Sequence, residues 1–491
     1  MLEQHTIQAL RLQGTLFQIL AACSIGIALG AASILLTPPL ALGALLVVGL
    51  MFALLKRPEL GILGILVATS SIVFENKLPL INVGVGSLHV SDFMLLAMLG
   101  LVVIRSLIEP GFKLARTSLN LPLLALYGAG LLSTLLAVSQ STVEIEEARR
   151  AIRPITYYLT FFVIINLVRE ESRIRLLLRG LYILASVVAG AMALQYLLGV
   201  SVPILPGRVE TLQTQGMGFS GISRITPPGQ SLVLVVFIIA SVTLALEGDR
   251  PISILKLLQW NLLGLALLLT FNRSYWVAAG LVLTIAIFLM RPRNRRRLIG
   301  IGTATLLLTF MIVLSASPSP DAHLAKLIDA SIMRLATLGD AKILSEGSLQ
   351  WRFVENEYAL REIASHPFLG LGLGAKYRPF DPRIDTEQRA WDPRGYIHNG
   401  HLWIALKMGL IGYCFFVWLS LAFIMRGGRE WRHIGDSQLR ASSLGLIMVY
   451  SAVLVASITS PLLVEWSWTP VIGLVMGMNE AILRTVKPPD S

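Results

Sequence analysis

The feature that most constrains this chain is the recurrence of long, nearly charge-free apolar stretches from residue 16 to residue 483. A bilayer core about 30 Å thick takes roughly 20 such residues per helix, and in hydrocarbon every backbone polar group needs an internal partner. The chain is therefore read as helical spans and loops, an all-α polytopic transmembrane bundle of about 12–14 crossings. Its 55% hydrophobic and 14% charged residues exclude an ordinary water-soluble domain, in which about 25% are charged. The net charge of +12 does not point to nucleic acid, because the basic residues fall between spans rather than along one soluble face. Cys23 and Cys414 both lie in apolar spans and imply no disulfide framework.

The expected spans are 16–36, 38–55, 60–73, 92–104, 119–138, 153–168, 176–198, 228–246, 256–271, 273–290, 298–315, 400–425, 441–459 and 466–483. The first is longer than a signal-peptide core and runs straight into another span, so it is read as a mature helix. Short cytoplasmic loops retain Lys and Arg while short translocated loops lose them. The run Arg291-Pro-Arg-Asn-Arg-Arg-Arg297 therefore sets its loop inside. Alternating from there, the inner loops and both tails hold 23 of the 41 Lys and Arg, and the short outer loops hold seven. Both termini are expected in the cytoplasm. The mixed segment of Glu144, Glu146, Glu147, Arg149, Arg150 and Arg153 then falls outside, as an interfacial helix.

The loop 316–399 is long enough to escape the charge rule, with ten Lys or Arg against eleven Asp or Glu. It reads as a small outer subdomain. Within it Trp351, Val354 and Tyr358 share one face of a helix that begins near Ser348 and stops at Ser365-His-Pro, which suggests an amphipathic helix on the membrane surface. The loop ends in His398-Asn399-Gly400-His401-Leu402, followed by Lys407-Met-Gly409-Leu-Ile-Gly412. That is a polar cluster at the outer start of a span.

This region resembles the O-antigen ligase and polymerase superfamily, whose signature is His-Asn-x-x-Leu followed by Gly-x-x-Gly at the start of a late helix. Further matches are Arg352 to Glu362 with His366-Pro-Phe-Leu-Gly370-Leu-Gly372 upstream, Phe271-Asn-Arg273-Ser-Tyr-Trp276 after a short outer turn, and Ser220-Gly-Ile-Ser-Arg224 before an earlier span. The resemblance covers roughly residues 200–425. It implies N-terminal transmembrane helices over 1–199, a catalytic region over 200–425 including the loop 316–399, and C-terminal transmembrane helices over 426–491.

The resemblance further implies a metal-independent glycosyltransferase, without cofactor, in the bacterial inner membrane with its site on the periplasmic side. The donor would be a glycan on undecaprenyl pyrophosphate and the acceptor the lipid A core or another glycan, among membrane lipids and with no nucleic-acid partner. No Asp-x-Asp pair lies at an outer span end, so arginines would supply the positive charge. Arg224 and Arg273 are the candidates for the pyrophosphate, since a planar, permanently charged fork suits phosphate oxygens. His398 is the candidate catalytic base for an acceptor hydroxyl.

Plainer readings stand beside these. Arg273 could anchor its helix at the headgroups, Arg224 could pair within its loop, and Arg352 could pair with Glu355 or Glu357. Asn399 belongs to the same motif, and His401 stands one helical turn from His398 without a third metal ligand nearby. Lys407 is an intramembrane charge and so a functional candidate. The glycines 370–374 read as a helix stop and turn, and Trp391, Trp403 and Trp466 as an interfacial belt. The motifs serve ligases, which attach O-antigen to the lipid A core, and equally polymerases, which extend repeat units. A lipid-linked glycan flippase or exporter is the rival of another class, and would need a polar cavity near the midplane.

Overall fold

The computed structural model describes residues 56–485 except 71, 73–77, 79, 83–86, 203, 215–216, 248–252, 317–322, 337–346 and 386–391. Two compact units divide the chain, Met1–Leu60 and Gly61–Ser491; the site and its scaffold belong to the second. The described helices and strands are α1 (Pro58–Thr69), β1 (Ile81–Asn82), β2 (Ser87–Leu88), α2 (Val90–Ile108), α3 (Asn120–Ser139), α4 (Ile145–Thr156), α5 (Thr160–Leu167), α6 (Glu171–Leu198), β3 (Arg208–Thr214), β4 (Met217–Thr226), α7 (Gln230–Leu246), α8 (Ile254–Leu269), α9 (Arg273–Leu289), α10 (Pro292–Ala316), α11 (His323–Ala336), α12 (Gly347–Ser365), α13 (Gly400–Glu430), α14 (Ser437–Ala456) and α15 (Thr469–Thr485). The protein is a helical bundle, and five of its described helices are long and apolar enough to cross a bilayer. Each of the twelve spans expected between residues 60 and 483 falls on a helix. Those at 16–36 and 38–55, with Cys23, lie outside the described residues, as does Trp391.

A helix apolar all round is buried in protein or faces lipid. Nearly every residue of α7 and α15 is buried, and most of α14. These three form the centre of the bundle. The outer helices keep exposed apolar faces, for example Leu107, Leu135 and Leu197.

Hydrogen bonds between loops sort the helix ends into two sets. At one end Arg169 donates to the Lys113 carbonyl (2.6 Å), Arg175 to Asp436 (2.9 Å), Arg297 to the Glu247 carbonyl (3.2 Å) and Arg484 to the Ile165 carbonyl (3.1 Å). At the other, Tyr158 donates to the Leu463 carbonyl (2.8 Å), Arg224 to the Thr270 carbonyl (3.2 Å), and the Ser274 and Ser460 hydroxyls meet at 3.3 Å. These pairings join loops that the Lys and Arg bias assigns to the same side.

The segment expected as an interfacial helix forms α4, whose Glu146, Arg149 and Arg150 are exposed. A single turn of 3-10 helix joins α4 to α5 after Pro154. Its arginines are accounted for: Arg149 and Arg150 bond Glu146, and Arg153 makes a two-oxygen contact to Asp92 at 2.8 and 3.0 Å. Tyr157 donates to the same carboxylate at 2.6 Å.

Helix α13 is broken. Gly409 has φ of +67° inside it, so the helical ladder lapses there. In a bilayer the freed groups need protein partners, and residues 367–372 supply them. Leu371 and Gly372 donate to the Leu406 and Lys407 carbonyls (2.9 and 3.0 Å), while Leu410 and Ile411 donate to the Pro367 and Phe368 carbonyls (2.7 and 3.3 Å). Ser133 of α3 adds a hydroxyl to the carbonyls of Leu369 and Lys407. A Cβ on Gly409 would land on the Phe368 carbonyl, and one on Gly370 would meet the backbone of Leu406 and Lys407. The two glycine motifs are thus the two sides of one main-chain seam, and Gly370 is a close-approach glycine rather than a loose turn.

Candidate active site

His398 and Glu355 are 43 residues apart in sequence and in direct contact. Glu355 lies on α12 with its side chain 7% exposed. One carboxylate holds His398 twice: the backbone N–H donates to Oε2 at 3.0 Å, and ring Nδ1 lies 2.8 Å from Oε2 and 3.1 Å from Oε1. Against a carboxylate, Nδ1 is the ring nitrogen placed to donate, and Nε2 is left on the other edge. The Tyr396 ring stands edge-on to the imidazole with centroids 4.9 Å apart. With its side chain 34% exposed, the imidazole is fixed on one edge and open on the other.

On α12 the stripe buried in the protein is not the apolar face expected on the membrane surface. Trp351 is exposed and Tyr358 donates to Asp381 at 3.2 Å, whereas Glu355 and Ala359 are buried. The buried stripe carries the carboxylate that contacts His398. The chain that follows is ordered by ion pairs. Arg378 and Asp385 form a buried two-bond pair at 2.5 and 2.9 Å, and Lys376 bridges Glu147 and Asp392.

Arg224 sits on β4, opposite Glu210 of β3 in the antiparallel register. With the short β1–β2 pair, this hairpin makes up the strands found among the described residues. Burial holds the Arg224 guanidinium below the usual arginine range, Glu210 opposes that, and the neighbouring charges of Arg208 and Arg352 lower it further. Three arginines thus gather with Glu210, which is only 3.4 Å from Arg224. The bond from Arg224 to the Thr270 carbonyl ties the hairpin to the turn that starts α9.

That turn is strained. Phe271 is fully buried with φ of +46°, a left-handed conformation that costs a bulky residue roughly 1–2 kcal/mol. Its neighbours hold it: Thr270 accepts from the Asn272 N–H through its hydroxyl, and the Trp276 indole donates to the Leu267 carbonyl. The result sets Arg273 as the first residue of α9, where helix N–H groups also favour anions. Ser274 reaches Ser460, and the Ser460 carbonyl and Ser457 pack on Gly400, two residues after His398. The hairpin, the α8–α9 turn, the α14–α15 loop and the start of α13 therefore meet at one end of the bundle.

The remaining candidates have structural partners. Asn399 caps α13, its side chain accepting from the N–H groups of His401 and Leu402 at 3.0 and 3.1 Å. His401 Nε2 lies 3.0 Å from the Leu454 carbonyl, and its ring packs on Phe416. Lys407 is buried, donates to the Ala375 carbonyl and lies 5.6 Å from the Tyr377 ring centre. Trp403 is buried in the bundle rather than facing lipid, and Trp466 underlies the Arg153 guanidinium.

Two residues at this end escaped sequence reasoning. Glu355 was considered only as a partner for Arg352; an acid one helical turn from an arginine on a short flagged helix was the available signal. Glu465 carried none, lying in the α14–α15 loop without an ion pair among the described residues. Burial pushes its carboxyl up from 4.5 to about 7. The folded protein therefore keeps a proton that the unfolded chain has lost, and stability is highest below about 4.5 and declines as pH rises towards about 7. Glu465→Gln is expected to raise the melting temperature at pH 8 by roughly 2 °C and to leave it unchanged at pH 4, read by thermal unfolding in detergent.

The architecture is that of a polytopic membrane protein with an Arg- and His-bearing polar site at one end of its helices. Residues 261–417, about a third of the chain, match the family model described as O-antigen ligase. This segment is similar to that family, which suggests a glycosyl-transferring enzyme in general terms. The matched segment contains Arg273, Glu355, His398, Gly409 and Gly412, and stops short of Arg224 and Glu465. No curated protein matches the chain.

Proposed function

We propose that this protein transfers a glycan from undecaprenyl pyrophosphate to an acceptor hydroxyl at the periplasmic face of the inner membrane, with the lipid A core as acceptor and no metal. The observation that supports it is the Glu355–His398 clasp, with Nε2 open, at the same bundle end as Arg224 and Arg273. The region 200–425 would carry this chemistry. The acceptor oxygen attacks the anomeric carbon as its proton passes to His398 Nε2. The bond from that carbon to the pyrophosphate oxygen breaks, and the lipid pyrophosphate leaves with the electron pair. Arg224 and Arg273 would hold the negative charge that grows on the leaving group, the part a cation plays elsewhere. Glu355 orients the imidazole and stabilises the imidazolium. Lys407, the sequence feature that favours transport, is engaged by the Ala375 carbonyl, which weakens the exporter reading.

Deleting the gene and separating the lipopolysaccharide tests the assignment. Loss of a ligase leaves bare lipid A core while lipid-linked polymer accumulates; core bearing a single repeat would mean a polymerase instead. In a reconstituted assay, Arg273→Gln is expected to raise the donor KM about tenfold or more, one charge-assisted phosphate contact being worth roughly 1.5–3 kcal/mol.

A further inference from the structure

At the bundle end opposite His398, a cavity of about 310 Å³ opens where the ends of α6, α7, α8 and α14 converge. Its walls include Leu178, Ile183, Ala240 and Leu244. The polar side chains on it are already engaged. Gln259 donates to the Tyr182 carbonyl and the Ser186 hydroxyl (3.3 and 2.7 Å), Gln438 accepts from Arg175 (2.8 Å), and Lys256 pairs with Glu247. Arg179 at the rim is exposed and makes no hydrogen bond or ion pair among the described residues. A polar solute would find few groups to satisfy it in such a space, whereas a hydrocarbon chain loses nothing by entering. The apolar wall runs on to lipid-facing side chains, Ile183 at 62% and Leu258 at 58% exposure. With Lys256 and Glu247 cancelling, the rim carries one net positive charge.

We propose that this cavity binds an anionic phospholipid of the adjacent leaflet, with one acyl chain between α6, α7 and α8 and the phosphate against Arg179. The charge at the rim selects the anionic headgroup over a zwitterionic one, and the apolar walls take the chain. The site is separate from glycan transfer and stands without it.

The test uses the full-length protein, delipidated in a neutral detergent and titrated with phosphatidylglycerol, phosphatidylcholine or polyprenyl phosphate, with bound lipid counted by native mass spectrometry. Phosphatidylglycerol is expected to bind about tenfold more tightly than phosphatidylcholine. Arg179→Gln should remove that preference by weakening phosphatidylglycerol more than phosphatidylcholine. Because Arg179 is exposed and bonds nothing, the variant keeps its fold, which the melting temperature checks. Equal binding of the two phospholipids, an unchanged preference in Arg179→Gln, or tighter binding of polyprenyl phosphate than of phosphatidylglycerol would each overturn the proposal.

Discussion

His398→Ala lowers glycan transfer by about 10²- to 10⁴-fold in a reconstituted assay, the usual worth of a positioned general base, while the protein still folds and binds donor. The loss is expected to fall on kcat, because in the proposed mechanism the imidazole acts on the acceptor proton and not on the pyrophosphate. Glu355→Gln gives a second, separable result. The amide keeps the size of the side chain and one accepting oxygen but removes the charge that stabilises the imidazolium. Turnover is expected to fall by about 10²-fold with donor KM unchanged, and Glu355→Asp to recover part of it. A purely structural Glu355 would instead lower kcat only in proportion to the folded fraction. Full activity in His398→Ala would remove the general base from the mechanism.

The second large effect is on the fold. Gly409→Ala puts a Cβ against the Phe368 carbonyl at a residue whose φ is +67°. Left-handed backbone and a main-chain clash together cost roughly 3–5 kcal/mol, enough to prevent accumulation of folded protein, read as loss of a monodisperse peak in detergent. Gly428→Ala is the control: it lies on the same helix and a Cβ there meets nothing within 4 Å, so its effect stays under about 1 kcal/mol. Both glycines lie on α13, yet only the first carries the seam. Equal behaviour of the two variants would refute this account.

The spans and their alternation were legible because apolar run length and the Lys and Arg bias are local signals that the bilayer imposes directly. His398 was legible because it sits in a short motif at a span start. Its partner was not, since Glu355 reaches it across 43 residues and the apolar spacing on α12 draws attention to Trp351 rather than to the stripe that carries Glu355. Gly409 and Gly370 were visible as glycines, but nothing in either segment says that they need each other. The hairpin carrying Arg224 was missed for a related reason: two strands that pair only with each other at a bundle end leave no alternating pattern deep enough to stand out.

The seam between residues 367–372 and 406–411 is made of carbonyls and amides, so it is indifferent to which apolar side chains sit along it. Related chains should drift freely at Phe368, Leu369 and Ile411 while holding the number of residues between the two glycines' flanks. Inserting one residue between Pro367 and Gly372 would put four donor and acceptor pairs out of step at once. The stretch therefore tolerates changes of letter and not changes of length.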